Sequence, residues 1–157
     1  MSAAAAAREL VAAIPDPELP AVTIGDLGVL RSVEARGDEV VVTVTPTYSG
    51  CPALEAIRRE ISARLAAAGF ERVEVRTALR PAWTTDWISE RGRERLRELG
   101  VAPPRPRRGP ELVRLSVPCP RCGSASTRLV SRFGSTPCTA HRVCNACGEP
   151  FDELKEL

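Results

Sequence analysis

Histidine is scarce in this sequence, and that scarcity limits the chemistry the chain can perform. His141 is the one histidine among 157 residues. A diiron carboxylate centre built on paired Glu-x-x-His helices needs two histidines, so this chain cannot form one. A cysteine nucleophile needs a base, and the region around Cys51, the first cysteine, offers no histidine for that task. We therefore do not expect the chain to be catalytic by either route.

Long apolar segments are absent as well. The longest uncharged run, Val40 to Leu54, is too short for a membrane span and contains proline, glycine and serine. The first fifteen residues, MSAAAAARELVAAIP, lack the basic start of an export signal. We expect a cytoplasmic protein that does not enter a membrane.

A strong excess of one charge is also missing, because the formal net charge is only +2. The segment from Arg91 to Arg114 is the exception, with eight arginines against three acidic residues, or +5 locally. Binding of nucleic acid through this patch, or general protein docking, is therefore an alternative function. Acidic residues lie at helical spacing from the arginines and can pair with them, and no aromatic residue lies among the arginines. Both features argue against nucleic-acid binding.

Cysteine is well represented, and four of the six cysteines form two CxxC pairs. Without an export signal, metal binding is favoured over disulfides. Each pair is followed by a glycine that permits the tight turn in which backbone amides face the sulfurs. Two such turns enclose one metal ion, for which zinc is favoured and iron competes. The predicted ligands are Cys119, Cys122, Cys144 and Cys147.

A closed site of four thiolates leaves no open position for a substrate, so we expect its metal to be structural. Cys138 and His141 lie between the two pairs and could replace a ligand. Isolated residues in such a position are more often packing or surface groups, so Cys138 is kept as a secondary metal candidate.

The distribution of apolar residues and helix breakers predicts two domains. The stretch VAPPRPRRGP interrupts regular structure and marks their boundary. We expect an α+β domain at 1–100, a Pro/Arg-rich linker at 101–112 and a metal-dependent domain at 113–157, which is too small to rest on a hydrophobic core alone. The elements predicted in the first domain are a helix over 3–13, strands over 29–36 and 39–45, a helix over 52–68, a strand over 73–78 and a helix over 87–99.

Cys51 lies apart from the CxxC pairs, in the stretch TPTYSGCPALEAI. Pro52 suits the first position of a helix, which would place Cys51 at the cap. Unpaired amides and the helix dipole favour a thiolate there and lower the pKa of the thiol. A buried cysteine that only fills space accounts for the same residue equally well.

Acidic residues precede the predicted hairpin that leads back to Cys51. Asp16 and Glu18 belong to DPELP, and Asp26 belongs to IGDLG. Carboxylates near a thiolate could help to hold iron, although Asp-Pro and Gly-Asp are also ordinary turn dipeptides. Thr47, four residues before Cys51, can equally cap or brace the loop.

Two stretches taken together, DPELPAVTIGDLGVL and VTVTPTYSGCPALEAI, resemble the iron–sulfur assembly domain of SufT-like proteins. Four further stretches are similar to the PaaD family of phenylacetate degradation, also called PaaJ: RPAWTTDWISERGRERLRELGVAPP, CPRCGS, SRFGSTPC and CNACGEPFDELK. The resemblance covers nearly the whole chain.

This resemblance implies an iron–sulfur assembly domain followed by a zinc ribbon. It implies an accessory or maturation role beside a multisubunit diiron oxygenase, the ring-1,2-phenylacetyl-CoA epoxidase, rather than catalysis by this chain. The implied partners are epoxidase subunits or iron–sulfur assembly proteins. The sequence leaves open whether the chain forms a homodimer in which two Cys51 thiols share a cluster. The residues implied to hold a labile iron or iron–sulfur cluster are Cys51, Asp16, Glu18, Thr47 and Asp26.

Overall fold

The computed structural model describes residues 2–104 and 116–155. The chain divides into two compact units, Met1–Ser89 and Glu90–Leu157. Each unit has its own sheet. The prediction of a mixed helix and sheet fold is confirmed. None of the helices in the described ranges is long and apolar enough to cross a membrane.

Unit 1 is a three-stranded sheet with two α-helices. The central strand pairs antiparallel with the first strand across a tight hairpin, and parallel with the third strand after a helical crossover. In chain order, the elements are α1 (Ala3–Ala12), β1 (Leu30–Arg36), β2 (Glu39–Val44), α2 (Ala53–Ala67), β3 (Arg72–Thr77) and a single 3₁₀ turn (Thr85–Trp87).

The core of unit 1 follows from two sequence periods. Alternate valines of β2, at positions 40, 42 and 44, are fully buried, as the two-residue period of a strand requires. Residues at helical spacing on α2, Ile57, Ile61 and Leu65, are also buried. Gly69, with φ of 95°, ends α2 where the sequence predicts its stop.

Unit 2 combines one helix with a four-stranded sheet. Its elements are α3 (Glu90–Glu98), β4 (Val101–Ala102), β5 (Thr127–Ser131), β6 (Thr139–Cys144) and β7 (Pro150–Leu154). The strands lie in the order β4-β7-β6-β5, with β4 parallel to β7 and the other pairs antiparallel. Because β5 is at one end of this order, one of its edges carries no strand in the part of the chain that the structure describes.

The prediction of one helix over 87–99 is wrong in its first turn. Thr84 accepts a hydrogen bond from the Asp86 amide and caps the short 3₁₀ turn, and Ile88 then returns to extended backbone with ψ of 128°. Helix α3 therefore begins only at Glu90. The predicted domain boundaries stay a prediction, since most of the predicted linker, residues 105–112, lies outside the described residues.

Gly28 is a position where unit 1 requires glycine. Its φ is 72°, and an added Cβ would lie 2.5 Å from the Trp87 Cβ. We expect Gly28→Ala to lower the free energy of unfolding of unit 1 by about 3 kcal/mol, since left-handed backbone and overpacking both contribute. Denaturant unfolding followed by tryptophan fluorescence measures this loss.

Gly37→Ala is the matched control for that change. Gly37 has a similar φ of 64° but no atom within 4 Å of an added Cβ. It should cost only the backbone contribution, about 1 kcal/mol. Equal losses in the two variants would show that the contact with Trp87 is not tight.

Candidate functional site

Four cysteine sulfurs meet at one end of unit 2. The sulfurs of Cys119, Cys122, Cys144 and Cys147 all lie within 4.8 Å of one another. The Sγ atoms of Cys119 and Cys147 are 3.8 Å apart, and those of Cys122 and Cys144 are 3.6 Å apart. A tetrahedral zinc ion with Zn–S bonds of about 2.3 Å needs sulfurs about 3.8 Å apart. The cluster therefore fits a tetrahedral metal ion of that size.

The two CxxC turns that supply these sulfurs have the same local geometry. Gly123 donates its amide to the carbonyl of Cys119, and Gly148 donates to that of Cys144, at 2.8 and 3.0 Å. Both glycines have positive φ, 75° and 77°. This backbone conformation favours glycine, and it explains why each CxxC pair is followed by one.

Backbone amides around Cys144 prepare it to be a thiolate ligand. The Cys147 amide donates to the Cys144 Sγ at 3.5 Å. This bond, aided by the amide of Ala146, lowers the pKa of Cys144 to about 7 against the opposing effect of burial. A lowered pKa helps metal binding because a thiol must lose its proton to become a ligand.

The metal ligands are also part of the core of unit 2. Cys119 and Cys144 are buried, and they pack with Ala102 from β4, Phe151 from β7 and Val117. Loss of the metal would therefore disturb the small apolar core as well as the cysteine turns.

The structure does not bring Cys138 or His141 into this cluster. Cys138 is buried, with its sulfur 3.0 Å from the Thr136 hydroxyl. The His141 Nδ1 lies 3.1 Å from Asp152 Oδ1, across the β6–β7 pair. Among the described residues, the group with metal-ligand geometry contains only the four CxxC cysteines.

Asp152 is a structural residue that sequence reasoning missed. Its Oδ2 accepts hydrogen bonds from the amide and hydroxyl of Ser135 and from the Thr139 hydroxyl. These bonds, together with His141, hold the pKa of Asp152 below its usual range although burial acts in the opposite direction. Gly134 is packed so closely here that a Cβ would lie 2.5 Å from Thr139 Oγ1. The partners lie up to 17 residues from Asp152 in sequence, so only strand register could have predicted the group.

Cys51 is half-buried at the start of α2 in unit 1. Pro52, not Cys51, occupies the cap position, so the predicted placement is wrong by one residue. The predicted fall in the pKa of Cys51 is also wrong. Burial raises that pKa, and the negative charges of Glu18 and Asp16 raise it further, against hydrogen bonds from the amides of Ala53 and Leu54.

The acidic turn DPELP acts on Cys51 through the negative charges of Asp16 and Glu18, although it lies far from the thiol in sequence. Asp16 is buried, and its Oδ1 accepts hydrogen bonds from the amides of Glu18 and Leu19, both at 2.9 Å. Burial raises the pKa of Asp16 despite these two bonds. The two carboxylates of this turn therefore oppose ionisation of the half-buried Cys51 thiol.

Asp26 has a different environment from Asp16. Its carboxylate accepts hydrogen bonds from the hydroxyls of Ser89, at 2.7 Å, and Thr23, at 3.1 Å. Its carbonyl accepts from the Ser89 amide at 2.8 Å. These bonds fasten the loop before β1 to the segment after the 3₁₀ turn. Thr47 is half-buried in the loop between β2 and α2.

The arginine patch is partly described, since residues 105–115 lie outside the described ranges. On α3, Arg93 is buried and donates to the carbonyl of Pro104. Arg95 pairs with Glu98 at 3.1 Å, and Arg97 pairs with Glu90 at 3.7 Å. These three arginines are therefore engaged within unit 2.

Comparison with known families separates the chain into two matched regions. Residues 4–79 match the family described as iron–sulfur cluster assembly protein. Residues 103–155 match the family described as PaaD zinc beta ribbon domain. The second match includes all four clustered cysteines, which agrees with their role as metal ligands.

One curated relative spans nearly the whole chain. It is an Escherichia coli (strain K12) protein named as one component of a "Putative 1,2-phenylacetyl-CoA epoxidase". The two sequences are 48% identical over 146 residues, which cover 93% of this chain and 88% of the relative. The sequence-based recognition of the PaaD family is thereby confirmed.

Two solved structures resemble about three fifths of the chain. A crystal structure of a domain of unknown function, DUF59, from Bacillus anthracis is 27% identical, with a TM-score of 0.56. The match covers 59% of this chain and 90% of that domain. A solution structure from Mycobacterium tuberculosis, described as associated with Fe–S complex assembly and repair, is 30% identical with a TM-score of 0.33, covering 61% of this chain and 82% of that protein.

Proposed function

We propose that this chain, which belongs to the PaaD family of 1,2-phenylacetyl-CoA epoxidase components, is an accessory factor that assists assembly of the iron or iron–sulfur centre of that epoxidase. Its family ties the chain to the phenylacetate pathway. The maturation role is our inference from the iron–sulfur assembly domain and from the charges that act on Cys51.

The observation that carries this proposal is the electrostatic effect of two carboxylates on one thiol, although Cys51, Asp16 and Glu18 do not by themselves form a group with metal-ligand geometry in the described residues. Cys51 is half-buried, and Asp16 and Glu18 lie close enough to raise its pKa. A cation bound there would reverse the effect of those charges, since it attracts both carboxylates and favours the thiolate. Binding would release the thiol proton to solvent, as thiol ligation generally does.

Such a site suits a metal ion that the chain binds transiently and passes to another protein. One sulfur and two carboxylate groups give mixed soft and hard ligands, which accept iron but do not enclose it. A client protein or a second copy of the chain would supply the remaining ligands. Iron is thus cargo in this proposal, with Cys51 as the transient ligand and Asp16 and Glu18 as its charged neighbours. Asp26 holds the loop before β1 through its hydrogen bonds to Ser89 and Thr23, and Thr47 lies in the loop that leads to Cys51.

We propose zinc as the resident metal of the four-cysteine cluster. The ligand set and sulfur spacing suit it, and four thiolates leave no position for a substrate. Its function would be to hold unit 2 folded. The ribbon would then present a surface to partner proteins while unit 1 handles iron.

The alternative function, binding of nucleic acid by the ribbon, has weaker support. Three arginines of α3 are buried or ion-paired, which lowers the positive charge available to phosphates in the described part of the patch. Sequence-selective, submicromolar binding of DNA or RNA at physiological salt would favour this alternative over the proposed one.

The proposal is tested by iron retention in the purified chain. The zinc-loaded protein is incubated anaerobically with ferrous iron and desalted, and its iron is measured by metal analysis and Mössbauer spectroscopy. Wild type should keep substoichiometric, labile iron, and Cys51→Ser should lose most of it. Zinc content should be near one per chain in both.

Cys138→Ser is the matched control, because Cys138 is the other cysteine outside the metal cluster. It should retain iron like the wild type. Equal iron in all three proteins would place the bound iron elsewhere and contradict a role for Cys51.

A further inference from the structure

The first CxxC turn carries a positive charge between its two ligands. It reads Cys-Pro-Arg-Cys over residues 119–122, so Arg121 directly precedes the ligand Cys122. The second turn, residues 144–147, encloses Asn145 and Ala146 instead. Arg121 is therefore the one charged residue within either CxxC pair.

Arg121 connects the first turn to the residue chain that closes the second. Its Nη1 donates a hydrogen bond to Glu149 Oε2 at 2.5 Å. Glu149 comes two residues after the ligand Cys147, and its carbonyl accepts from the amide of the ligand Cys144 at 2.9 Å. The guanidinium group is thus fastened to both of the turns that supply the sulfurs.

Sulfurs from both turns act on this guanidinium group. The hydrogen bond and the charge of Glu149 raise the pKa of Arg121 most, and the negative charges of Cys147 and Cys119 raise it further. An attraction between two charges favours the charged form of each of them. The positive charge of Arg121 therefore favours the thiolate forms of Cys119 and Cys147, which are the forms that bind a metal ion.

A site of four thiolates benefits from a positive charge nearby. A zinc ion brings two positive charges to four negative ligands, so the occupied site carries an excess of negative charge. Groups that surround the ligands can offset part of this excess and thereby tune the affinity for the metal. The Arg121 side chain is 69% exposed, so solvent weakens its effect and we expect a modest contribution.

We propose that Arg121 is a charge-compensating residue of the ribbon metal site. Held between the two CxxC turns by Glu149, its guanidinium group offsets the excess negative charge of the metal-bound thiolates and slows release of the metal. This inference rests on the proposed role of the four cysteines as the site of a resident zinc ion. It adds a residue that acts on the ligands without binding the ion itself.

A purely mechanical link between the two turns would have different consequences. A link fails when either partner is removed, so Arg121→Gln and Glu149→Gln would weaken zinc binding equally. Charge compensation predicts unequal effects instead. Glu149→Gln leaves the positive charge in place and removes a negative charge near the sulfurs, whereas Arg121→Gln removes the positive charge.

The test measures the zinc affinity of the full chain under anaerobic, reducing conditions. A chromophoric chelator competes for the ion at low and at high salt, and the rate of zinc release to the chelator is recorded. The variants are Arg121→Gln, Arg121→Lys and Glu149→Gln. Substitution of zinc by Co²⁺ gives an absorption spectrum that reports whether the ligand geometry is unchanged.

Arg132→Gln is the matched control, because it removes the same charge from the same unit. Arg132 follows the end of β5, five residues beyond Thr127, which pairs with the ligand Cys144. At about 3.3 Å per residue of strand, this separation exceeds the Debye length of about 10 Å at 0.1 M salt. Arg132→Gln should therefore bind zinc like the wild type.

We expect Arg121→Gln to lower zinc affinity about five- to tenfold at low salt and to release zinc faster. High salt should narrow the difference from wild type, because the charge is exposed. Arg121→Lys should keep most of the affinity, and Glu149→Gln should stay within about twofold of wild type. The cobalt spectrum should be that of a tetrahedral thiolate site in every variant.

Three results would each overturn this inference while leaving the resident zinc in place. One is wild-type zinc affinity in Arg121→Gln at low salt. Another is an equal loss in Arg121→Gln and Glu149→Gln that salt does not change, which would indicate a mechanical link. The third is an altered cobalt spectrum in Arg121→Gln, which would show that the arginine shapes the site. A wild-type chain that binds no zinc would instead contradict the proposed resident metal.

Discussion

Removal of the ribbon metal by a chelator should unfold unit 2 and leave unit 1 folded. Structural zinc in small cysteine sites contributes about 10–16 kcal/mol of apparent binding free energy, which is more than a small unit can lose. Unit 2 has a small core that includes the ligands Cys119 and Cys144 themselves. We expect about one tightly bound zinc per chain and a cooperative loss of the ribbon sheet when it is taken away.

The two tryptophans allow the folding of unit 1 to be followed separately from that of unit 2. Trp83 and Trp87 both belong to unit 1, and the buried Trp83 donates its Nε1–H to the Leu27 carbonyl at 2.8 Å. Tryptophan fluorescence should therefore stay unchanged on chelation while amide protection in β5, β6 and β7 disappears. Loss of both signals together would show that the units do not fold independently.

Cys144→Ser should reproduce the effect of the chelator, because it removes a buried ligand with a lowered pKa. Cys138→Ser is the control, since Cys138 is also buried but lies outside the metal cluster. It should keep zinc and the ribbon fold. A ribbon that stays folded without zinc under reducing conditions would refute the structural role of the metal.

The sequence predicted those features whose causes are local. Each CxxC turn with its glycine is a short unit that folds by its own backbone geometry, so the ligand set could be read from spacing alone. The same holds for α2, where the apolar spacing and Gly69 determine the helix and its end. Alternating valines likewise predicted β2 with an error of one residue.

Features that depend on distant residues could not be predicted. Helix propensity favoured a helix from Trp87, but the Thr84 cap and the hydrogen bonds between Ser89 and Asp26 hold residues 85–89 in another form. The start of α2, taken alone, predicts a lowered pKa for Cys51. Burial and the acidic turn, which is remote from Cys51 in sequence, act in the opposite direction and prevail.

Cys51→Ser should lower the iron content and the activity of a co-expressed phenylacetyl-CoA epoxidase without altering this chain's fold or zinc. A serine hydroxyl is a much poorer ligand for iron than a thiolate, while its size preserves the half-buried position at the start of α2. We expect the largest deficit in low-iron medium, where unassisted loading of the epoxidase is slowest. The measurements are iron per epoxidase after purification and epoxide formation in cell extracts.

Asp16→Asn separates the charge at this site from its structural role. Asn keeps a side-chain oxygen that can accept from the amides of Glu18 and Leu19, so the turn should persist. It removes one of the two charges that act on Cys51, so the pKa of the thiol should fall while the attraction for a cation weakens. A delivery site therefore predicts reduced epoxidase iron in Asp16→Asn as well as in Cys51→Ser. Wild-type activity from both variants in low-iron and normal media would instead show that Cys51 only fills space beneath its loop.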